Sequence, residues 1–145
     1  MLRLVGAALI VVALTGCNAF RSTEPNRLSV EGKSTLITET PKTIQAVVTV
    51  RNTGTRVTDI NVTGCPLFLE AFATPERSGE PVWSTRDSNM ACIAMVRLLS
   101  LAPGDYYDFV VKGTLPSTLP QGRYYLAVWG ACGASHVPVG QIDNF

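Results

Sequence analysis

The 145-residue chain is 46% hydrophobic and has a formal net charge of +1, with no run of like charges. This balance excludes the basic stripe of a nucleic-acid-binding protein and the acidic tail of a charged adaptor, so no nucleic-acid partner is predicted. Arg3 is the only charged residue among the first 16. A mature chain that begins at residue 17 therefore has 129 residues, with 11 basic and 11 acidic side chains. That length is sufficient for one domain that buries roughly two thirds of its unfolded surface.

The first 16 residues have the pattern of a cleaved export signal, because a positive start at Arg3 precedes an uncharged apolar run over residues 4–14. The run is too short to cross a bilayer, which needs about 20 apolar residues. Its end, Leu14-Thr15-Gly16-Cys17, resembles the lipobox of bacterial lipoproteins. The resemblance implies cleavage before Cys17, a diacylglycerol thioether on Cys17 and acylation of the new N-terminus. Several acyl chains together anchor a protein firmly in a membrane.

Residues 17–26 are polar and lack a periodic pattern, which predicts a flexible tether after the lipidated Cys17. Nine free residues reach ~15–18 Å on average, so the folded domain is expected just above the lipid surface. The lipobox resemblance also gives Asn18 a meaning, since a residue other than Asp there implies sorting to the outer membrane in a double-membraned cell. We therefore expect a lipid-anchored protein on the extracytoplasmic side of a bacterial cell envelope.

Between recurrent turn signals, stretches of β-branched and aromatic residues predict strands throughout residues 27–145. The alternation is clearest over residues 43–51, whereas the period of residues 93–101 is ambiguous and leaves a helical turn open. The predicted strands are residues 27–38 (one strand or two), 43–51, 59–62, 67–73, 82–83, 93–101, 106–112, 122–130 and a weaker 137–142. Many short strands and no clear helix predict an all-β domain, an immunoglobulin-like antiparallel β-sandwich.

Residues 119–124 have the leucine, turn glycine and tyrosine of a tyrosine corner. In such a corner the tyrosine begins a central strand, and its hydroxyl bonds to the backbone a few residues upstream. We therefore predict a structural role for Tyr124.

Three cysteines remain after Cys17 is assigned to lipid, and an exported protein meets an oxidising environment. Three thiols allow one disulfide and one leftover. We favour Cys65–Cys92, because each lies at the edge of a predicted strand and the pair flanks a loop-rich segment. The chain-entropy model gives such a bridge about 3.5 kcal/mol. Pairing through Cys132 stays open as the alternative, and an unpaired Cys132 is either buried or available to a second chain.

Four motifs in a fixed order point to a family. They are Asn52-Thr53-Gly54 after an alternating strand, Gly79-Glu80-Pro81-Val82-Trp83, Leu101-Ala102-Pro103-Gly104-Asp105 and residues 119–124. This order resembles the bacterial intracellular proteinase inhibitor (BsuPI-like) domain over roughly residues 41–140. The resemblance implies an immunoglobulin-like β-sandwich and, as an activity, inhibition of a peptidase. None of the matched motifs is a reactive loop, so no inhibitory residue is assigned.

Catalysis is not predicted. Cys132 and His136 could serve as a thiol and its base only within hydrogen-bond reach, yet four residues on an extended chain span ~13 Å. We expect a glycine-rich turn with a surface histidine instead. Zinc would require several closely spaced Cys or His residues, which the sequence does not have, and no phosphate loop or dinucleotide fingerprint is present. The predicted protein is not an enzyme and uses no metal or cofactor.

The alternation does predict a surface for recognition. If Tyr124, Leu126 and Val128 face the core, Tyr125 and Trp129 face outward. By the same parity, Phe68, Glu70 and Phe72 point outward from a strand that an immunoglobulin-like sandwich places next to it. We call Phe68, Phe72, Tyr125 and Trp129 the aromatic face and predict that it is exposed and binds a protein. The alternatives are that residues 18–40 or the 74–92 loop cover this face, or that twist and a bulge reverse the parity.

Two functions from different classes follow. The first is a non-catalytic, membrane-anchored module that holds another envelope protein through the aromatic face. The second is an exported proteinase inhibitor, in which the loops at residues 74–92 and 112–121 fill a peptidase cleft. In either case, the expected partners of the protein are membrane lipid, through the acylated Cys17, and an envelope protein or peptidase.

Overall fold

The computed structural model describes residues 28–63, 67–86, 96–130 and 136–145. Over these ranges the chain forms strands and turns and no helix. The strands are β1 (Leu28–Glu39), β2 (Lys42–Asn52), β3 (Thr58–Thr63), β4 (Leu67–Phe72), β5 (Trp83–Ser84), β6 (Val96–Leu101), β7 (Tyr106–Thr114), β8 (Gly122–Gly130) and β9 (His136–Asn144). The prediction of an all-β antiparallel sandwich is confirmed.

Every strand pairing is antiparallel. One layer is the sheet β1-β2-β7 and the other layer is the sheet β5-β4-β8-β9, while β3 and β6 form a separate two-stranded sheet. The layers pack because alternate residues of each sheet are apolar and meet in one cluster. Its buried members from β2, β4, β8 and β9 are Ile44, Ala46, Val48, Leu69, Ala71, Tyr124, Leu126, Val128 and Val139.

Several strand boundaries differ from the prediction. Residues 28–39 form one strand, and β9 is a full nine-residue strand rather than a weak one. The ambiguous stretch at residues 93–101 forms β6 from Val96 onward, and its first three residues lie outside the described residues. Strand β7 continues to Thr114, so the predicted loop at residues 112–121 is shorter than expected. Thr114 pairs with Thr43 of β2, and this pairing extends β7 to residue 114. Backbone pairing of this kind cannot be predicted from the periodicity of side chains.

The buried side chain of Asn52 links the turn that follows β2 to the end of β6. Its Nδ2 donates to the carbonyls of Arg56 (2.7 Å) and Leu101 (2.9 Å), and its Oδ1 accepts from the N–H of Gly54 (2.9 Å). The backbone of Asn52 also exchanges hydrogen bonds with Gly104 and Asp105. Near this junction, Val50, Ile60 and Leu101 form a second, smaller cluster of buried side chains. The Asn-Thr-Gly and Leu-x-Pro-Gly-Asp motifs are therefore two sides of one hydrogen-bonded junction.

The predicted tyrosine corner is confirmed. The Tyr124 hydroxyl donates to the carbonyl of Pro120 at 2.7 Å, and the side chain is buried in the core. The bond holds the turn before β8 against the start of that strand.

We expect Tyr124→Phe to lower the free energy of unfolding by about 1–2 kcal/mol, because it removes one part-buried hydrogen bond without opening a cavity. Urea unfolding followed by tryptophan fluorescence measures the change. A matched Tyr106→Phe variant, on an exposed tyrosine of β7, is expected to leave the midpoint unchanged. Equal midpoints for the two variants would show that the hydrogen bond of the Tyr124 hydroxyl does not stabilise the fold.

A surface ion pair joins β8 to β9. Arg123 Nε lies 2.7 Å from Asp143 Oδ1, and the hydrogen bond from Arg123 lowers the pKa of the Asp143 carboxyl below its ordinary value. A carboxyl whose pKa is lower in the folded state stabilises the fold above its ordinary pKa, and this contribution is lost as the pH falls through the lowered value.

We therefore expect Arg123→Ala to raise the pKa of Asp143 toward that of an ordinary aspartate. Carbon-detected NMR titration of the side-chain carboxyl between pH 2 and 6 measures the shift directly. Because both side chains are about half exposed, little change in stability at neutral pH is expected. An unchanged Asp143 titration in Arg123→Ala would show that the ion pair does not form in solution.

Candidate functional site

The four residues of the aromatic face lie together on the side of the β5-β4-β8-β9 sheet that faces away from the core. Strand β4 pairs with β8 in a register that sets Phe68 opposite Trp129 and Phe72 opposite Tyr125. The neighbouring residues Leu69, Ala71, Leu126 and Val128 point the other way, into the core. The predicted parity and the predicted adjacency of these two strands are therefore confirmed.

The predicted exposure of the aromatic face is wrong for its two phenylalanines. Phe68 is 4% exposed and Phe72 is 1% exposed, whereas Tyr125 and Trp129 are partly buried. Alternation along β4 correctly separated its two faces, but almost every residue of this strand is buried, so alternation says nothing about burial here. Side chains from the 73–86 segment and from β9 pack on the outer surface instead. Cover by the 74–92 loop, the alternative interpretation, is borne out in part.

At one end of the face, Phe68, Trp129 and Arg86 form a stack. The rings of Phe68 and Trp129 are stacked, with centroids 5.7 Å apart and planes inclined by 27°. The guanidinium carbon of Arg86 lies 4.6 Å from the Trp129 centroid and 5.8 Å from that of Phe68. Arg86 follows the short strand β5, which brings it alongside β4. A cation over two ring faces is attracted by their quadrupoles, which fixes an otherwise flexible side chain.

At the other end, Arg77 fastens the 73–82 turn to the sheet. Its Nε donates to the carbonyl of Leu126 (2.9 Å), Nη2 to Gly140 (3.1 Å) and Nη1 to Pro75 (2.9 Å). The guanidinium also lies 5.8 Å from the Tyr125 ring centroid. The Leu126 carbonyl is available at a β-bulge, where the β8–β9 register shifts between Leu126 and Ala127. Arg77 itself has a φ of 51°, an unusual conformation for a non-glycine residue that the three hydrogen bonds hold in place.

Between the two ends lies a hydrogen-bonded pair, Glu70 and His136, that the sequence did not predict. Glu70 is 5% exposed, and its Oε2 is 2.9 Å from Nε2 of His136. The Oγ of Ser84 donates to the other carboxylate oxygen at 3.3 Å. The imidazole meets the Phe72 ring edge-on, with centroids 5.1 Å apart. These partners satisfy a carboxylate whose burial alone would be costly.

His136 is a surface histidine, as predicted, but it begins β9 rather than lying in a turn. Its partner was missed because Glu70 is 66 residues away, and only the strand order brings them together. One signal was present in the sequence, namely a single carboxylate in the otherwise apolar strand at residues 67–72.

Ser84 Oγ bonds to the Glu70 carboxylate and not to a histidine nitrogen. Within the described ranges, no group of three or more His, Cys, Asp or Glu side chains could hold a metal ion. Cys17, the predicted lipidation residue, lies outside the described residues, as do the cysteines of the predicted disulfide, Cys65 and Cys92, and Cys132.

No protein-family model matches the chain, and no curated protein is detectably similar to it. Among the described residues no helix is long and apolar enough to cross a membrane.

Proposed function

We propose that this protein is a non-catalytic lipoprotein of the bacterial envelope, anchored through Cys17, whose immunoglobulin-like domain binds another protein. The observation that carries the proposal is the outer surface of the β5-β4-β8-β9 sheet, where Trp129 and Tyr125 are partly exposed over buried phenylalanines. Rigid aromatic side chains backed by a packed layer are the preferred anchors of protein interfaces. Arg86 and Arg77 hold these rings in place before any partner arrives, which lowers the entropy cost of binding.

Site-specific photo-crosslinking in living cells tests this function. A benzophenone amino acid replaces Tyr125 in the full-length protein, and a matched control carries it at Tyr106. Tyr106 is 56% exposed on the other layer and also lies beside an arginine, at 4.9 Å from Arg51. We expect a discrete protein adduct from position 125 and none from position 106. Equal labelling from both positions, or none from position 125, would contradict the proposal.

The resemblance to proteinase inhibitors supplies a second candidate function, and the fastened 73–82 turn favours it. Residues 73–76 are exposed while Arg77 ties the turn to β8 and β9, as expected of a loop that enters a cleft without becoming ordered on binding. If the captured partner is a peptidase, the purified protein should slow it. Exchange of residues 73–76 should then abolish inhibition, whereas Trp129→Ala should not.

The anchor has its own test. Cells that express the full chain should incorporate radiolabelled palmitate into it, and Cys17→Ala should abolish both the label and membrane association. A Cys17→Ala protein that stays with the membrane fraction would contradict lipid anchoring.

The proposal includes a Cys65–Cys92 disulfide. In the described structure, Thr63 of β3 pairs with Val96 of β6; Cys65 follows Thr63 by two residues, and Cys92 precedes Val96 by four. The competing Cys65–Cys132 bridge also has support, because Leu67 pairs with Gly130 and the two cysteines lie two residues beyond these partners.

Peptide mapping of the exported protein without reduction separates the pairings. We expect a linked peptide that contains Cys65 and Cys92. We also expect reduction of the bridge to lower the free energy of unfolding, measured in urea, by about 3.5 kcal/mol. A Cys65–Cys132 peptide would replace our assignment, and three free thiols would refute it.

A further inference from the structure

The arginine over Trp129 differs from the other two stacked arginines in how its hydrogen-bond donors are used. Arg77 donates to three backbone carbonyls, and Arg51 donates through Nη1 to the carbonyl of Gly104 at 2.9 Å. In the described part of the chain, the Arg86 guanidinium contacts only the rings of Phe68 and Trp129. Its residue is exposed, and its backbone N–H is bonded to Ser84 Oγ at 3.0 Å. Among the residues that the structure describes, the guanidinium plane of Arg86 is therefore held by ring faces and its N–H edge meets no acceptor.

The local charge also favours an anionic group at this edge. Glu70, the buried carboxylate of the same sheet face, is occupied by His136 and Ser84 and is 5% exposed. Arg77 is occupied by carbonyls. Arg86 is thus a cation whose guanidinium donors meet no acceptor among the described residues, and it lies beside a partly exposed indole. A guanidinium presents a fork that matches a carboxylate in two parallel hydrogen bonds, and stacking prepares that fork without further loss of entropy.

We propose that the partner contacts this protein through a segment that bears an Asp or Glu side chain, whose carboxylate binds the N–H edge of Arg86. An apolar residue next to that acid then covers the exposed part of Trp129. The inference rests on the proposed function and specifies the chemistry of its partner. A charge-assisted bidentate contact at the edge of an aromatic anchor is a typical interface hot spot.

Zero-length carbodiimide coupling tests the carboxylate directly. In full-length Arg86→Lys, an amine replaces the guanidinium, and carbodiimide joins an amine only to a carboxyl in contact with it. Arg51→Lys is the matched control, since Arg51 also stacks on an aromatic ring but belongs to the other layer. We expect an amide-linked protein adduct from Arg86→Lys in intact envelopes, with an Asp or Glu at the linked position of the partner. We expect no adduct from Arg51→Lys.

A second readout uses the photo-crosslink from position 125. Arg86→Gln should reduce its yield about tenfold, since it removes both hydrogen bonds to the carboxylate together with the cation over the rings of Phe68 and Trp129. If the position-125 adduct forms at full yield in Arg86→Gln and Arg86→Lys gives no carbodiimide product, the acidic contact is refuted while the binding function stands. A position-125 probe that labels lipid and no protein refutes both.

Discussion

Replacement of Asn52 by Ala is expected to lower the free energy of unfolding by about 3 kcal/mol. Asn52 is fully buried, and its side chain serves the carbonyls of Arg56 and Leu101 and the N–H of Gly54. Each buried polar group left without its partner costs roughly 1–3 kcal/mol, although water reaches some of them after truncation. Urea unfolding with a shared m-value measures the loss.

Two further variants identify the cause of that loss. Thr53→Ala, at the exposed neighbouring position, should change stability by less than about 0.5 kcal/mol. Asn52→Asp keeps the size and the acceptor for Gly54 but sets a carboxylate against two carbonyl oxygens, so we expect it to be at least as destabilising as Asn52→Ala. If Asn52→Ala unfolds within 1 kcal/mol of the parent, the junction does not stabilise the fold as described.

Gly32→Ala should also destabilise the fold strongly, by about 2–3 kcal/mol. A Cβ at this position of β1 would lie 2.4 Å from the Pro138 carbonyl oxygen and 2.7 Å from Cγ1 of Val139. The carbonyl belongs to strand β9 and has no rotamer to change, so β1 and β9 must separate. Overpacking of this kind typically costs 1–3 kcal/mol.

Gly122→Ala is the matched control in β8, because its added Cβ would meet nothing closer than 3.8 Å. We expect its midpoint of thermal unfolding to stay within about 2 °C of the parent, while that of Gly32→Ala falls by roughly 10 °C or more. Similar midpoints for the two alanine variants would show that β1 does not cross β9 as closely as described.

Local patterns predicted the parts of this fold that depend on one strand at a time. The alternation at Ile44, Ala46, Val48 and Val50 identified a core face, and all four are buried. The turn before Tyr124 predicted a hydrogen bond that is present. In each case the physical cause, a period of two or a local turn, lies within a few residues of the feature it explains.

The same patterns failed where distant segments meet. Asn52 was predicted only to end a strand, yet it bonds to a carbonyl 49 residues away. Phe68 and Phe72 were assigned to the correct face, but periodicity does not reveal what packs over that face. Arg77 and Arg86 come from a turn-rich segment without a periodic signal, so their positions depend on the pairing of β5 with β4. The Glu70–His136 pair likewise requires the β8–β9 register.

Capture of a partner from envelope extract tests whether the aromatic face binds another envelope protein. Full-length protein, the Tyr125→Ala/Trp129→Ala double variant and a Tyr106→Ala control are compared as bait after chemical crosslinking, with quantitative mass spectrometry as readout. Equal unfolding midpoints first establish that all three baits are folded. We expect an envelope protein that is retained by the parent and by Tyr106→Ala and is lost from the double variant. Equal retention by all three baits would show that the aromatic face does not bind the partner.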